Sequence, residues 1–158
     1  MNVDLCEIRR KTVPVGEYIL SLEPVFKDKF LVKKQVYELQ HDAVEELRKA
    51  ADCFLVIAFS AGWCKDCAEQ IPVLALLAEA TGLEVRVFGG LKKDPLSHTS
   101  RWRIPPSPPE VTAFEVNAIP LMVVVDSSGN EIGRIVEKPK MKPTLEQELL
   151  EIVKSRPR

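Results

Sequence analysis

The sequence predicts an α/β protein, and the order of three segments carries that prediction. An apolar run at residues 54–59 is typical of a fully buried strand, and a helix-compatible segment follows it to about residue 80. Residues 84–88 predict another strand. Because strand, helix and strand follow one another, we expect parallel pairing, with helices on both faces of the sheet.

The size and the charge of the chain exclude several classes of function. Its 158 residues are enough for one domain that buries about two-thirds of its unfolded surface. With 22 basic and 23 acidic residues the net charge is −1, so we expect no nucleic acid and no anionic membrane among its partners. No apolar run reaches the roughly 18 residues that a membrane-spanning helix needs.

The cysteine content and the first residues predict the compartment. Four cysteines in 158 residues are far fewer than a disulfide-built secreted domain carries. Asp4 and Glu7 lie close to the N-terminus, where no apolar stretch is present, so no signal peptide is predicted. We therefore expect a cytoplasmic, thiol-reducing environment.

The chain before the first buried strand divides into two parts. Residues 1–34 alternate short apolar groups with charges and are interrupted by prolines, which predicts short helices or turns. We expect this part to be an N-terminal extension packed on a domain formed by residues 35–158. Residues 34–51 predict one amphipathic helix. Its apolar face consists of Val36, Leu39, Ala43, Leu47 and Ala50.

Glycine and proline mark the limits of the middle segments. The helix after residues 54–59 contains Pro72 and is expected to end at Gly82, which supplies a C-terminal cap. We expect a loop at residues 89–109, with one helical turn near residues 95–102.

The last third of the chain predicts a hairpin followed by a helix. Residues 121–125 predict a buried strand, and the turn at residues 127–130 joins it to a partner strand at residues 131–136. Thr144 and Gln147 have the spacing of a capping box, so we expect the final helix to start there.

The main candidate for chemistry is Trp63-Cys64-Lys65-Asp66-Cys67, which follows the buried strand and opens a helix. A thiol at that place lies beside unpaired backbone N–H groups and the positive end of the helix dipole, and both favour the thiolate. Two cysteines at this spacing can close a small disulfide ring. The pattern between a strand and a helix is typical of a dithiol redox site.

These residues, with three further features in the same order, resemble the thioredoxin family. The features are Pro72 five residues past Cys67, Ile119-Pro120 just before a strand, and the hairpin that contains Gly129. The resemblance covers about residues 50–155. It implies a three-layer α/β/α sandwich with a mixed sheet of four to five strands. It also implies a cis Ile119-Pro120 bond that faces the cysteines.

The sequence departs from the family pattern at two places. Lys65-Asp66 stands between the cysteines where thioredoxins have Gly-Pro. The buried acid that the family carries six residues before the first cysteine is Ala58 here. Glu69 is a candidate to replace that acid as a proton relay. The stronger alternative is that Glu69 is only a surface ion-pair partner of Lys65, four residues earlier.

The resemblance and the chemistry of thiols together predict how the site acts. Cys64 is the expected nucleophile, because it is at the helix start and the more exposed thiol, and Cys67 is the expected resolving thiol. Lys65 favours the Cys64 thiolate, whereas Asp66 opposes it and holds Cys67 as a thiol. Trp63, Lys65, Asp66, Ile119 and Pro120 are expected to form the substrate groove.

We therefore expect a protein disulfide reductase without a cofactor. Its partners would be disulfide-containing proteins and an upstream electron donor such as a thioredoxin-type reductase. The rival hypothesis is a non-catalytic binding or scaffold module with the same fold. A metal site is disfavoured, because structural zinc normally takes four ligands at short spacing. Apart from the one cysteine pair, Cys6, Cys53, His41 and His98 are scattered.

Overall fold

The computed structural model describes residues 1–92 and 107–156. Its centre is a five-stranded sheet with the strand order β1-β3-β2-β4-β5. The strands are β1 (Val13–Pro14), β2 (Phe54–Phe59), β3 (Glu84–Phe88), β4 (Leu121–Asp126) and β5 (Glu131–Val136). The helices are α1 (Leu5–Lys11), α2 (Val15–Ser21), α3 (Pro24–Val36), α4 (His41–Ala50), α5 (Lys65–Thr81), α6 (Glu110–Ala113) and α7 (Leu145–Lys154).

The sheet is mixed, which confirms the predicted fold class. Strand β2 runs parallel to β3 and antiparallel to β4, while β1 and β5 pair antiparallel at the two edges. Every residue of β2 is buried, because the strand lies at the centre of the sheet. The parallel β2–α5–β3 unit is the one that the sequence predicts, with Gly82 capping α5 in the left-handed conformation.

The prediction of one helix over residues 34–51 is wrong, because this stretch is divided between two helices. Helix α3 ends at Val36 and α4 begins at His41. The buried Glu146 carboxylate holds the break, accepting hydrogen bonds from the Tyr37 hydroxyl and the Gln40 backbone N–H. The Gln40 side chain then caps α4 by accepting from the Ala43 N–H at 2.7 Å.

The N-terminal residues are tied to the sheet along β3. Strand β1, which the sequence did not predict, extends the sheet beside β3. The Arg86 guanidinium of β3 donates to the backbone carbonyls of Arg9 and Thr12. Helix α3 packs against α5, so this part of the chain also contacts the helix that carries the two cysteines. The division of the chain into residues 1–34 and 35–158 stays a proposal.

Replacing Glu84 by Gln is expected to lower the free energy of unfolding at pH 7 by less than about 1 kcal/mol. The hydrogen bond and charge of Arg9 hold the pKa of the Glu84 carboxyl below its ordinary value. A lowered folded-state pKa stabilises above the ordinary value, and the contribution is lost as pH falls through the lowered one. Urea unfolding measures both proteins, and an equal difference at pH 7 and pH 2 would contradict this reading.

The hairpin of β4 and β5 is also as predicted, and the N-terminus docks on its turn. The Val3 N–H donates to the Gly129 carbonyl at 2.8 Å. Gly129 has φ +86°, and a Cβ there would lie 2.1 Å from the Val3 carbonyl oxygen. Only glycine fits both the turn and this close approach.

Helix α7 begins where the capping residues predict. The Thr144 side chain accepts from the Gln147 N–H at 3.2 Å. The end of the predicted loop, residues 107–109, leads into α6. The sequence did not predict this short helix. The predicted helical turn near residues 95–102 lies outside the described residues. Among the helices that the structure describes, none is long and apolar enough to cross a membrane.

Candidate active site

Cys64 is the N-cap residue of α5, at the point where the chain leaves the centre of the sheet. Its sulfur accepts a hydrogen bond from the Cys67 backbone N–H at 3.2 Å. The thiol therefore occupies the place of a capping side chain, beside N–H groups that have no partner inside the helix. A negative sulfur is favoured there by the same groups that stabilise any anion at a helix start.

The two thiols have opposite pKa shifts, because hydrogen bonds lower the pKa of Cys64 whereas burial raises that of Cys67. Cys64 is 8% exposed and Cys67 is 0% exposed, which is the predicted order. Hydrogen bonds from the Cys67 side chain and backbone lower the pKa of Cys64. Burial raises the pKa of Cys67, and the neighbouring Cys64 raises it further. The pair thus combines an activated thiol with a protonated one.

The roles predicted for the two residues between the cysteines are met only in part. Asp66 does oppose the lowering of the Cys64 pKa, as its charge predicts. The raised pKa of Cys67, however, has burial and Cys64 as its main causes. Lys65 is exposed and is not among the main causes of either shift. Burial, and not the charge of Asp66, therefore keeps Cys67 protonated.

The turn before β4 supplies the opposite wall of the site. The Ile119-Pro120 peptide bond is cis, as the resemblance implies. The Cys64 thiol donates to the Ile119 carbonyl oxygen, with 3.7 Å between sulfur and oxygen. Both Ile119 and Pro120 are buried. Residues 55 positions apart in the chain are thus brought into contact at the nucleophile.

Trp63 and helix α3 form an apolar groove beside Cys64. The Trp63 indole is 49% exposed, and its N–H donates to the Leu91 carbonyl at 3.1 Å. The groove has a volume of about 740 Å³ and is also lined by Cys64, Lys65, Val32 and Val36. We call it the α3 groove. Val36, placed by the sequence on the inner face of a helix, is instead 67% exposed here.

Glu69 lines the α3 groove and forms an ion pair with a residue of α3. Its carboxylate pairs with Lys33 of α3 at 3.0 Å, and the Glu69 side chain is 51% exposed. The partner is therefore not Lys65, which was the alternative that the helical spacing predicted. The ion pair joins α3 to α5, and both of its residues line the α3 groove.

A pair of buried hydroxyl groups begins beside Cys67, and the sequence predicts neither of them. Ser60 directly follows β2 and is 0% exposed. Its hydroxyl is 2.9 Å from the Tyr18 hydroxyl of α2, which is 4% exposed. The Ser60 hydroxyl also lies close enough to the Cys67 thiol to lower its pKa as a hydrogen-bonding group. Nothing local in the sequence signals this contact, because Tyr18 is 42 residues away from Ser60.

The remaining cysteines take no part in this site. Cys6 and Cys53 are both exposed, so neither is the small buried hydrophobe that a structural cysteine often is. Within residues 1–92 and 107–156, no three His, Cys, Asp or Glu side chains are grouped so that they could hold a metal ion.

Comparison with protein families finds a match over most of the chain. The sequence model of the family described as Thioredoxin matches residues 14–149. The matched range includes both cysteines, Tyr18 and Pro120. No curated protein sequence matches the chain significantly.

Solved structures with the same fold cover nearly the whole chain. A protein of unknown function from Pseudomonas aeruginosa has a TM-score of 0.73 at 16% identity, covering 96% of this chain and 98% of its own. An HIV epitope scaffold has a TM-score of 0.74 at 14% identity, covering 98% of this chain and 100% of its own. A protein described as DsbH oxidoreductase reaches a TM-score of only 0.45 at 17% identity, covering 76% and 85%. The first two likenesses bear on the fold alone.

Proposed function

The chain belongs to the thioredoxin family, and we propose that it is a thiol–disulfide oxidoreductase that reduces protein disulfides through Cys64 and Cys67. One observation carries the proposal. A thiol with a lowered pKa caps α5 and lies directly beside a fully buried thiol with a raised pKa. Dithiol exchange needs such a pair. The attacking group is a thiolate, and the second thiol must stay protonated until the mixed disulfide has formed.

The proposed reaction has two exchange steps. The Cys64 thiolate attacks one sulfur of the substrate disulfide, and the other substrate sulfur leaves as a thiolate that takes up a proton. A mixed disulfide now joins Cys64 to the substrate. Cys67 then loses its proton and attacks the Cys64 sulfur, which forms the Cys64–Cys67 disulfide and releases the second substrate thiol. The substrate gains two electrons, and the protein dithiol loses them.

The surface around Cys64 supports a protein as the substrate. The Trp63 indole and the exposed Val32 and Val36 side chains can contact apolar side chains that flank a disulfide. Lys65, Asp66, Ile119 and Pro120 complete the proposed groove on the other sides. An upstream donor such as a thioredoxin-type reductase would return the two electrons. We place this cycle in the cytoplasm, with no bound cofactor, nucleic acid or membrane.

The same groove also favours a second candidate, a binding module that holds apolar segments without redox chemistry. A single experiment separates the two. The protein is incubated with and without dithiothreitol, its thiols are alkylated, and the Cys64–Cys67 disulfide is measured by mass spectrometry. The reduced protein is then assayed for insulin disulfide reduction.

We expect a reversible Cys64–Cys67 disulfide and insulin reduction well above the rate of dithiothreitol alone. In the reduced protein at pH 7, Cys64 should be alkylated before Cys67, because its pKa is lowered whereas that of Cys67 is raised. If no disulfide forms and insulin reduction stays at background, the binding module is the better account.

A further inference from the structure

The family's buried acid is absent, and no carboxylate is among the main causes of the Cys67 pKa shift. Ala58 is 0% exposed within β2 and carries no group that titrates. Glu69, the nearest candidate named from the sequence, is half-exposed and paired with Lys33. A fully buried thiol must nevertheless become a thiolate to resolve the mixed disulfide, and burial alone makes that costly. Something other than a carboxylate has to offset this cost.

The Ser60 hydroxyl is the side-chain donor placed to do so. It lies close enough to the Cys67 thiol to lower the pKa of that thiol as a hydrogen-bonding group, and the Ala61 backbone acts in the same direction. A hydroxyl can donate one hydrogen bond and accept two. When Ser60 donates to the sulfur, its oxygen is left to accept from the Tyr18 hydroxyl at 2.9 Å. In this arrangement Tyr18 donates a hydrogen bond to Ser60, and Ser60 donates one to the Cys67 sulfur.

Tyr18 is held in place by packing on two sides of its ring. Phe30 of α3 makes an edge contact at 6.3 Å between ring centroids. Gly89, after β3, leaves the room for the ring, since a Cβ there would lie 2.7 Å from the Tyr18 Cε1 atom. Burial raises the pKa of Tyr18, so its hydroxyl stays protonated and remains a donor.

We propose that Ser60 is a catalytic residue for the resolving step, and that Tyr18 is a positioning residue which acts through it. This role rests on the proposed function. In that step the Cys67 S–H bond breaks and the Cys64–Cys67 bond forms while the bond from Cys64 to the substrate breaks. The proton is taken up by the departing substrate thiolate. Ser60 donates to the negative sulfur as it develops, and Tyr18 keeps the Ser60 hydrogen atom pointed at that sulfur.

The groups that face Cys67 are consistent with a neutral donor pair. From its own helix come Cys64 and, acting on Cys64, the charge of Asp66. From the loop after β2 come Ser60 and Ala61, and Tyr18 of α2 contacts Ser60. A neutral donor can lower the cost of a buried thiolate without adding a second buried charge.

The test separates the two exchange steps with 5,5′-dithiobis(2-nitrobenzoate). The Cys64 attack releases one coloured nitrothiobenzoate, and the Cys67 attack releases the second. Every protein carries Cys6→Ser and Cys53→Ser, because both thiols are exposed and also react with the reagent. Stopped-flow absorbance records the two phases for the parent, Ser60→Ala, Tyr18→Phe and the double variant between pH 6 and pH 9.

We expect Ser60→Ala to slow the second phase about 10- to 100-fold at pH 7.5, which is the range that a hydrogen bond to a charged group supplies. The pH profile of that phase should move to higher pH by about one to two units. Tyr18→Phe should do the same to a smaller degree, and the first phase should not change. Tyr37→Phe is the matched control, because its hydroxyl bonds Glu146 instead of the thiol site, and both phases should be normal.

Two results overturn this role. One is a second phase with parent rate and pH profile in all three variants. The other is an equal slowing of both phases without any shift of the pH profile, which is what a merely structural defect gives. If the parent itself releases only one nitrothiobenzoate and forms no Cys64–Cys67 disulfide, the proposed function is wrong. The role of Ser60 and Tyr18 is then wrong as well, because it depends on that function.

Discussion

Replacing Cys67 by Ser is expected to turn the protein into a trap for its substrates. Cys64 keeps its place at the start of α5 and can still attack a disulfide. The mixed disulfide then persists, because no thiol lies behind it to complete the exchange. Purification from cells under non-reducing conditions should yield covalent complexes that dithiothreitol releases, and insulin reduction should fall to the background rate.

Cys64→Ser is the variant to compare with Cys67→Ser. It removes the nucleophile, so both trapping and turnover should be lost. Cys53→Ser is the matched control, since it removes an exposed thiol that lies outside the site, and its turnover should equal that of the parent. Trapping by Cys64→Ser, with none by Cys67→Ser, would reverse the two assignments. The identities of the trapped proteins would also name the substrate class directly.

Replacing Phe59 by Ala is expected to cost about 3–5 kcal/mol of the free energy of unfolding. Phe59 is fully buried at the end of β2 and stacks on Phe88, with 4.8 Å between ring centroids. It also packs against Phe114, just after α6, at 5.2 Å. Truncation leaves a cavity beside Phe88 and Phe114, and the two remaining rings cannot both move into it. Urea unfolding monitored by circular dichroism measures the loss.

The change at Phe59 should reach the site as well, because Ser60 is the next residue. Val32→Ala is the control, since this side chain is 59% exposed and its loss should alter stability by no more than about 0.5 kcal/mol. The loss of stability for Phe59→Leu should lie between those for Phe59→Ala and Val32→Ala. A loss below about 1 kcal/mol for Phe59→Ala would mean that the aromatic cluster relaxes to fill the gap.

Local patterns in the sequence determine the central unit of this protein. The apolar run of β2, the helix after Cys64 and the left-handed cap at Gly82 each depend on residues within one or two turns of the chain. The same holds for the hairpin turn at Gly129 and the cap at Thr144. Such features can be predicted because the residues that cause them are adjacent in sequence.

The break between α3 and α4 shows where that reasoning fails. Residues 34–51 keep a helical spacing of apolar side chains, yet Glu146 of α7 takes the hydrogen bonds of Tyr37 and Gln40 and ends the first helix. A buried carboxylate more than a hundred positions away outweighs the local preference. As a result, Val36 faces the α3 groove instead of the core.

The sequence by itself determined the reactive pair, Cys64 and Cys67, and the strand–helix unit that carries it. Only the tertiary structure decided what surrounds that pair. The Ile119 carbonyl at Cys64 and the α3 groove at Trp63 come from separate parts of the chain. So does the Tyr18–Ser60 pair beside Cys67. The reason is physical: a hydrogen bond or a burial penalty depends on distance in space, which the folding of distant segments sets.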